Sequence, residues 1–136
     1  GFGVSAISQL PQGYAQNTTS SHDYQEAVLH NGRLPVAKGY VFQGEDKARK
    51  EIIDGLMCNL SVNVQTIWAK HGLPREELET LCLSLTPFVR DGLASLATDG
   101  LLTIKPEARP LVRIIAASFD EYLPPLETPH RHSMAV

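Results

Sequence analysis

Cys58 and Cys82 are the two thiols of the chain, far apart in sequence, with no Cys-x-x-Cys pair and no His at metal-ligand spacing. Zinc or iron–sulfur sites need three or four such ligands brought together, so this chain alone does not build one. Each thiol sits in an apolar, helix-like pattern, where free Cys behaves as a small hydrophobe, and both are expected in the core. His130 and His132 flank Arg131 in a Pro-rich tail. Two His one residue apart could touch a metal or an acidic ligand, but without a third ligand nearby the tail reads as solvated. Asp46, Arg49 and Lys50, and Arg109 and Arg113, have the chemistry for paired charge-assisted bonds, Arg and Lys toward carboxylates, although exposed helix charges ordinarily bind nothing specific. Gly1-Phe2-Gly3 with Ser5 could form a turn whose main chain approaches a ligand closely, because glycine puts no side chain between. No Ser/His/Asp set, paired-carboxylate motif, P-loop or complete dinucleotide fingerprint is present, so nucleophilic and phosphoryl-transfer chemistry has no support.

The elements that would position these residues follow from periodicity and punctuation. Residues 1–8 read as a buried strand running into a Gly/Ser turn, with no obvious sheet partner in the next hundred residues. Such a strand needs neighbours, and they are expected upstream in a longer parent chain. Residues 9–20 read as a polar loop. A short helix capped by Ser21 is stopped by Asn31-Gly32, and Gly32-Arg33-Leu34-Pro35 gives an extended link. From about Glu45 to Leu60, apolar residues Ala48, Ile52, Ile53, Leu56, Met57 and Leu60 recur at three- and four-residue steps, the clearest helix in the chain. A second helix spans roughly Val64 to His71 and is ended by Gly72. A third starts at Pro74 and bends near Pro87. Asp99-Gly100 between apolar runs marks a hairpin, and a last helix runs from about Pro106 to Leu123, where Pro124-Pro125 breaks it.

With 136 residues, 43% of them apolar, the chain can bury one real core. Twelve basic against fifteen acidic residues, a net charge of −3 and no basic run argue against a nucleic-acid or anionic-membrane surface. No stretch approaches a membrane span and the first residues lack a signal-peptide pattern, so a cytoplasmic protein is expected. Helix, helix, helix, hairpin is the order of a winged-helix domain. Arg75 and Arg90 stand against Glu76, Glu77, Glu79 and Asp91 around the third helix, which does not suit a duplex groove. The fold class expected from the residues is mainly α with a small β-hairpin: a winged-helix-like domain at 21–136, preceded at 1–20 by a strand and a loop. An independent winged-helix module binding protein or nucleic acid is the rival.

Three blocks of the sequence give a more specific reading. They are Gly1-Phe2-Gly3-Val4-Ser5-Ala6-Ile7-Ser8 followed by Tyr14-Ala15-Gln16-Asn17; Asp46-x-x-Arg49-Lys50-x-Ile52-Ile53-x-x-Leu56-Met57-Cys58-Asn59; and Arg109-x-Leu111-Val112-Arg113-x-Ile115-x-x-x-Phe119-Asp120-x-Tyr122-Leu123. In this order they resemble the C-terminal end of the bacterial oxygen-independent coproporphyrinogen III oxidases, radical S-adenosylmethionine enzymes of haem synthesis. The first block is closer to the true oxidases than to their haem-chaperone relatives. The resemblance implies that residues 1–8 are the last strand of a parallel α/β barrel, so that 1–20 are the last strand and loop of a truncated α/β barrel and 21–136 a winged-helix-like C-terminal domain. It implies that Ile7 contacts S-adenosylmethionine, with Ala6 and Gly3 as neighbours on the same strand end. It implies a parent that uses a [4Fe-4S] cluster and S-adenosylmethionine to turn two propionates of coproporphyrinogen III into vinyl groups. The cluster's Cys-x3-Cys-x2-Cys loop is not in this chain, and Cys58 and Cys82 do not match it, so the chain is expected to hold no cofactor and to be inactive alone. Its implied partners are the N-terminal barrel of the same polypeptide and coproporphyrinogen III, with no nucleic acid or membrane, and a monomer is expected. Ile114, where the family usually has Asn, and Met134, where a basic residue is common, depart from the pattern and put a direct substrate role of the last helix or tail in doubt.

Overall fold

The first regular element is a hairpin. β1 (Ile7–Leu10) and β2 (Gly13–Asn17) pair antiparallel, and β3 (Val36–Val41) adds to the other side of β2, giving the order β1-β2-β3. The computed structural model describes residues 1–123. It divides the chain into two units, Gly1–Gly44 and Glu45–Val136.

In the first unit the expected strand over residues 1–8 is replaced by a turn through Ala6 and a strand from Ile7. Gly3 at φ 96° and Ser5 at φ 56° lie in the left-handed region, which breaks an extended run. The partners that the sequence did not reveal are inside this chain. The stretch read as a loop contains β2, and the link after Pro35 continues into β3. Tyr14 and Gln16 alternate with small or polar residues, so the period-two signal of a half-buried strand is absent although the ladder forms. Gly13 is required there: a Cβ on it would stand 1.9 Å from the carbonyl oxygen of Tyr40. The helix after this, α1 (Ser21–Gln25), is capped by Ser20, whose hydroxyl accepts from Asp23 N at 3.2 Å, one residue earlier than expected. It widens into a π-helical turn, Glu26–His30, closed by Asn31 N to Glu26 O at 3.0 Å.

The second unit is built on α2 (Asp46–Asn59), which buries Ala48, Ile52 and Leu56. Met57 and Cys58 are exposed. Cys58 lies two residues beyond Leu56, about 200° around a helix, and so faces solvent instead of the core position expected. Leu60 takes a left-handed conformation (φ 59°), closing α2 through its N–H to Leu56 O, and its carbonyl accepts Ile104 N at 2.8 Å. The chain then makes β4 (Ser61–Asn63) and α3 (Val64–Lys70). Asn63 caps α3 by accepting Thr66 N at 2.8 Å, and Gly72 (φ 68°) follows its end.

The single bent helix expected after Pro74 is two helices, α4 (Arg75–Leu83) and α5 (Thr86–Arg90). Pro87 has no N–H to continue α4, but its fixed φ suits the first turn of α5. β5 (Ala94–Leu96) and β6 (Leu101–Ile104) form the expected hairpin, and β4 joins β6 to complete a β4-β6-β5 antiparallel sheet. The last helix begins as a 3₁₀ segment, Pro106–Leu111, with Pro110 inside it, and becomes α6 (Val112–Ala117). It stops six residues before Leu123, and the chain turns through Phe119 and Asp120. The Pro124-Pro125 break, the His130-Arg131-His132 tail and Met134 lie outside the described residues.

The core sits in the second unit. Trp68, Phe119, Ile52, Leu56, Leu85, Leu102, Ile115 and Val64 are its largest fully buried side chains. Trp68 donates Nε1–H to Pro74 O at 2.8 Å, so its one polar atom is satisfied inside. In the first unit Ala27 is the one buried hydrophobic among the described residues, whereas Phe2, Val4, Ile7, Leu10, Leu29, Leu34 and Val41 are exposed. That unit has little core of its own.

Candidate functional site

Gly3, Ala6 and Ile7 lie within five consecutive residues at the start of β1, and the structure shows what holds them. Asn17, at the end of β2, is 6% exposed and donates Nδ2–H to Gly1 O (3.2 Å) and Gly3 O (2.9 Å). Gly3 N–H donates to the Tyr24 hydroxyl at 3.0 Å, Ser5 N–H to Thr18 O at 2.8 Å, and Asn17 N–H to Ala6 O at 2.9 Å. The turn over 1–6 is thus tied to the end of β2 and to α1. Gly3's N–H and C=O are both engaged, so what it can present to a ligand is its bare Cα, with no atom within 4 Å of where a Cβ would stand.

Ile7 is 63% exposed and sits in the ladder opposite Gln16. Residues facing one another across antiparallel strands share a face, and the face repeats every second residue. Ile7, Gln16 and Lys38 therefore form one row and Gln9, Tyr14 and Tyr40 the next. A concavity of about 420 Å³ on this face is lined by Ile7, Tyr14, Gln16, Lys38, Gly39 and Tyr40. The Tyr14 and Phe42 rings meet edge to face at 5.1 Å, and Phe42 meets Tyr40 at 6.5 Å. An apolar side chain beside aromatic rings offers packing contacts, not hydrogen bonds, to whatever lies on this face.

Of the charged residues considered as carboxylate holders, Asp46, Arg49 and Lys50 are otherwise engaged. Arg49 pairs with Glu45, stands 5.9 Å over the Trp68 ring, and donates to Phe119 O at 3.3 Å. Lys50 pairs with Asp54. Asp46 is buried and accepts the Tyr122 hydroxyl at 3.0 Å. The Arg49 and Asp46 contacts hold the start of α2 to the segment after α6, a structural use of residues that the sequence marked as possible ligands. Arg109 and Arg113 are exposed. Glu51 accepts Lys70 Nζ at 2.7 Å and contacts His71 Nε2 at 2.9 Å; these hydrogen bonds hold its carboxyl below the usual value of 4.5. Burial pushes the Cys82 thiol up, with Glu79 adding to it, which makes it a poorer nucleophile than an ordinary cysteine. Among the described residues no group of three or more His, Cys, Asp or Glu could hold a metal ion, and no helix is long and apolar enough to cross a membrane.

Comparison with known proteins gives a consistent answer. Along all 136 residues the chain is 39% identical to the oxygen-independent coproporphyrinogen III oxidase of Bradyrhizobium diazoefficiens. Over 125 residues, 90% of the chain, it is 39% identical to the enzyme of the same name from Cereibacter sphaeroides. It also superimposes, with a TM-score of 0.77 and 29% identity over 90% of its length, on the solved coproporphyrinogen III oxidase of Escherichia coli, described as a radical SAM enzyme. By sequence and by fold the chain matches the C-terminal part of these oxidases. It spans 29% and 26% of the two bacterial relatives and 28% of the Escherichia coli structure. No family model matches it.

Asn17 is the residue beside Gly3, Ala6 and Ile7 whose structural role the sequence did not reveal. It belonged to a matched motif, but the reason for Asn there, two backbone carbonyls of the turn that leads into β1, is a contact between residues far apart in sequence. Lys38, Tyr14 and Tyr40 were not marked as site residues at all, because β3 was not read as a strand and nothing else placed them beside Ile7.

Proposed function

We propose that this chain is the C-terminal portion of a radical S-adenosylmethionine oxidoreductase whose full-length polypeptide oxidatively decarboxylates coproporphyrinogen III to protoporphyrinogen IX. In this reading the chain is itself non-catalytic and helps cover the active site of the N-terminal barrel, where exclusion of water protects radical chemistry. The observation that carries it is similarity along the whole chain to oxidases of which the chain is little more than a quarter.

Residues 1–20 complete the barrel's last strand and loop in the parent, and 21–136 form a winged-helix-like domain. The shortage of core in the first unit supports a large apolar partner, which the barrel supplies. Ile7 packs on the cofactor, with Ala6 and Gly3 beside it. The [4Fe-4S] cluster and S-adenosylmethionine supply the radical chemistry when bound in the parent. This chain's residues orient and enclose. The polypeptide is expected to be cytoplasmic and monomeric, with no nucleic-acid or membrane partner.

The rival reading, a free-standing winged-helix binding module, draws no support from relatives that are oxidases, and Arg75 of α4 is already paired to Glu79 at 2.9 Å. Two measurements decide between them. The purified chain should contain no iron, leave S-adenosylmethionine intact under reducing conditions, and bind neither duplex nor single-stranded DNA at moderate salt. Stoichiometric iron with cofactor turnover would refute the non-catalytic role, and salt-dependent DNA binding would restore the rival.

A further inference from the structure

Lys38 is the only charged side chain on β1, β2 and β3. Among the described residues no carboxylate lies within ion-pair distance of it. The acidic residues of the first unit, Asp23 and Glu26, stand on α1 and the π-helical turn, away from the strands in sequence. Lys38 is exposed, and it lines the same concavity as Ile7, two strands away, which is about 10 Å at ordinary strand spacing. Between them Gln16 is held by its Nε2–H to Ser5 O at 3.4 Å, and Tyr14 and Tyr40 supply ring surface. One cation at the edge of an aromatic floor is the complement of an amphiphile that carries a carboxylate on a ring system.

We infer that this face is a subsite for a carboxylate of the substrate, with Lys38 holding one propionate of the porphyrinogen while Tyr14 and Tyr40 pack against a pyrrole ring. The inference rests on the proposed function. It adds a specificity-determining residue to a face on which only Ile7 was assigned a contact. A carboxylate could also come from the methionine end of S-adenosylmethionine, so the two sources must be separated.

The test uses the full-length polypeptide that carries this chain, as wild type, Lys38→Met and Lys38→Arg. Steady-state kinetics with coproporphyrinogen III are combined with fluorescence titration of coproporphyrin III and of its tetramethyl ester, and with the Kd for S-adenosylmethionine. A bound carboxylate anchored by Lys38 predicts that Lys38→Met raises KM about tenfold with kcat within about twofold. Coproporphyrin III binding should weaken in parallel, while the ester and S-adenosylmethionine bind as before, and Lys38→Arg should recover most of the loss. Unchanged KM in Lys38→Met, an equal loss for acid and ester, or an effect confined to S-adenosylmethionine would each overturn the inference while leaving the proposed function standing. A wild-type polypeptide that neither binds coproporphyrin III nor turns over the substrate would overturn both.

Discussion

Asn17 does more for the start of the chain than any residue within it. Its amide satisfies two carbonyls of the Gly1–Gly3 turn, so Asn17→Ala leaves them unpaired and is expected to cost about 1–3 kcal/mol locally. Faster amide exchange over residues 1–6, with α2 unaffected, is the readout; unchanged protection there would show that the turn is held by other contacts. Glu51 makes a prediction of the opposite kind, in which pH is the variable. Its carboxyl is lowered by hydrogen bonds to Lys70 and then His71. A carboxylate lowered in the folded state contributes stability that is present above its unfolded pKa and is lost as pH falls through the folded one. Denaturant midpoints of wild type and Glu51→Gln should therefore differ near pH 7 and converge on acidification below the ordinary carboxylate range. A difference that persists in acid would mean that Gln disrupts packing instead of charge. Residue identity in the sequence flagged Arg49, Lys50 and Asp46 as candidate ligands, yet Arg49 and Asp46 hold α2 to Trp68, Phe119 and Tyr122, and Lys50 pairs with Asp54 within the helix. A charged residue's type is legible in a sequence; whether its charge is already spent is not.

The helices were legible because periodicity reports burial directly: α2 and α3 fall close to where spacing and Gly72 put them, and Asp99-Gly100 marks the hairpin. The errors have physical causes. Pro87 and Pro110 were read as a bend and as an ordinary helical residue, whereas a missing N–H at each position splits one expected helix in two and turns the start of another into 3₁₀. β2 and β3 were missed because their backbones pair without alternating apolar residues, and a ladder carries no signature in side-chain pattern when neither face is covered by a core; β4 does bury Val62, but three residues are too few for alternation to show. Two close approaches test this account of the elements. Gly13→Ala would drive a methyl group into Tyr40 O, so loss of the β2–β3 ladder is expected, seen as loss of amide protection over 36–41. Gly55→Ala would bring a Cβ to 2.9 Å from Val62 Cγ2, forcing α2 and β4 apart, and a destabilisation of about 1–3 kcal/mol is expected in denaturant titration. If Gly55→Ala stabilised the protein, Val62 would have room to move and helix propensity would dominate.

Charge and apolar surface are divided unevenly along the chain. Gly1–Gly44 holds two acidic and two basic residues, so the whole net charge of −3 belongs to Glu45–Val136. Gly1–Gly44 also carries much of the exposed large apolar surface, with Ala27 its one buried hydrophobic among the described residues. A segment neutral, apolar and short of core suits burial against another body, and an acidic segment with a full core suits a cover facing solvent. That contrast could be read from the sequence only in part: charge is a count, but exposure required the fold. The resemblance to the oxidases was readable from three ordered motifs, while the face shared by Ile7 and Lys38 needed the strand register. In the proposed function this chain completes a coproporphyrinogen III oxidase without supplying its chemistry. The most direct measurement compares the intact polypeptide with a form lacking residues 45–136, both purified without oxygen and matched for iron content, following release of carbon dioxide from coproporphyrinogen III alongside cleavage of S-adenosylmethionine. The intact form should couple the two, and the shortened form should still cleave the cofactor but lose at least about tenfold in decarboxylation; a shortened form that decarboxylates as fast as the intact one would contradict the covering role.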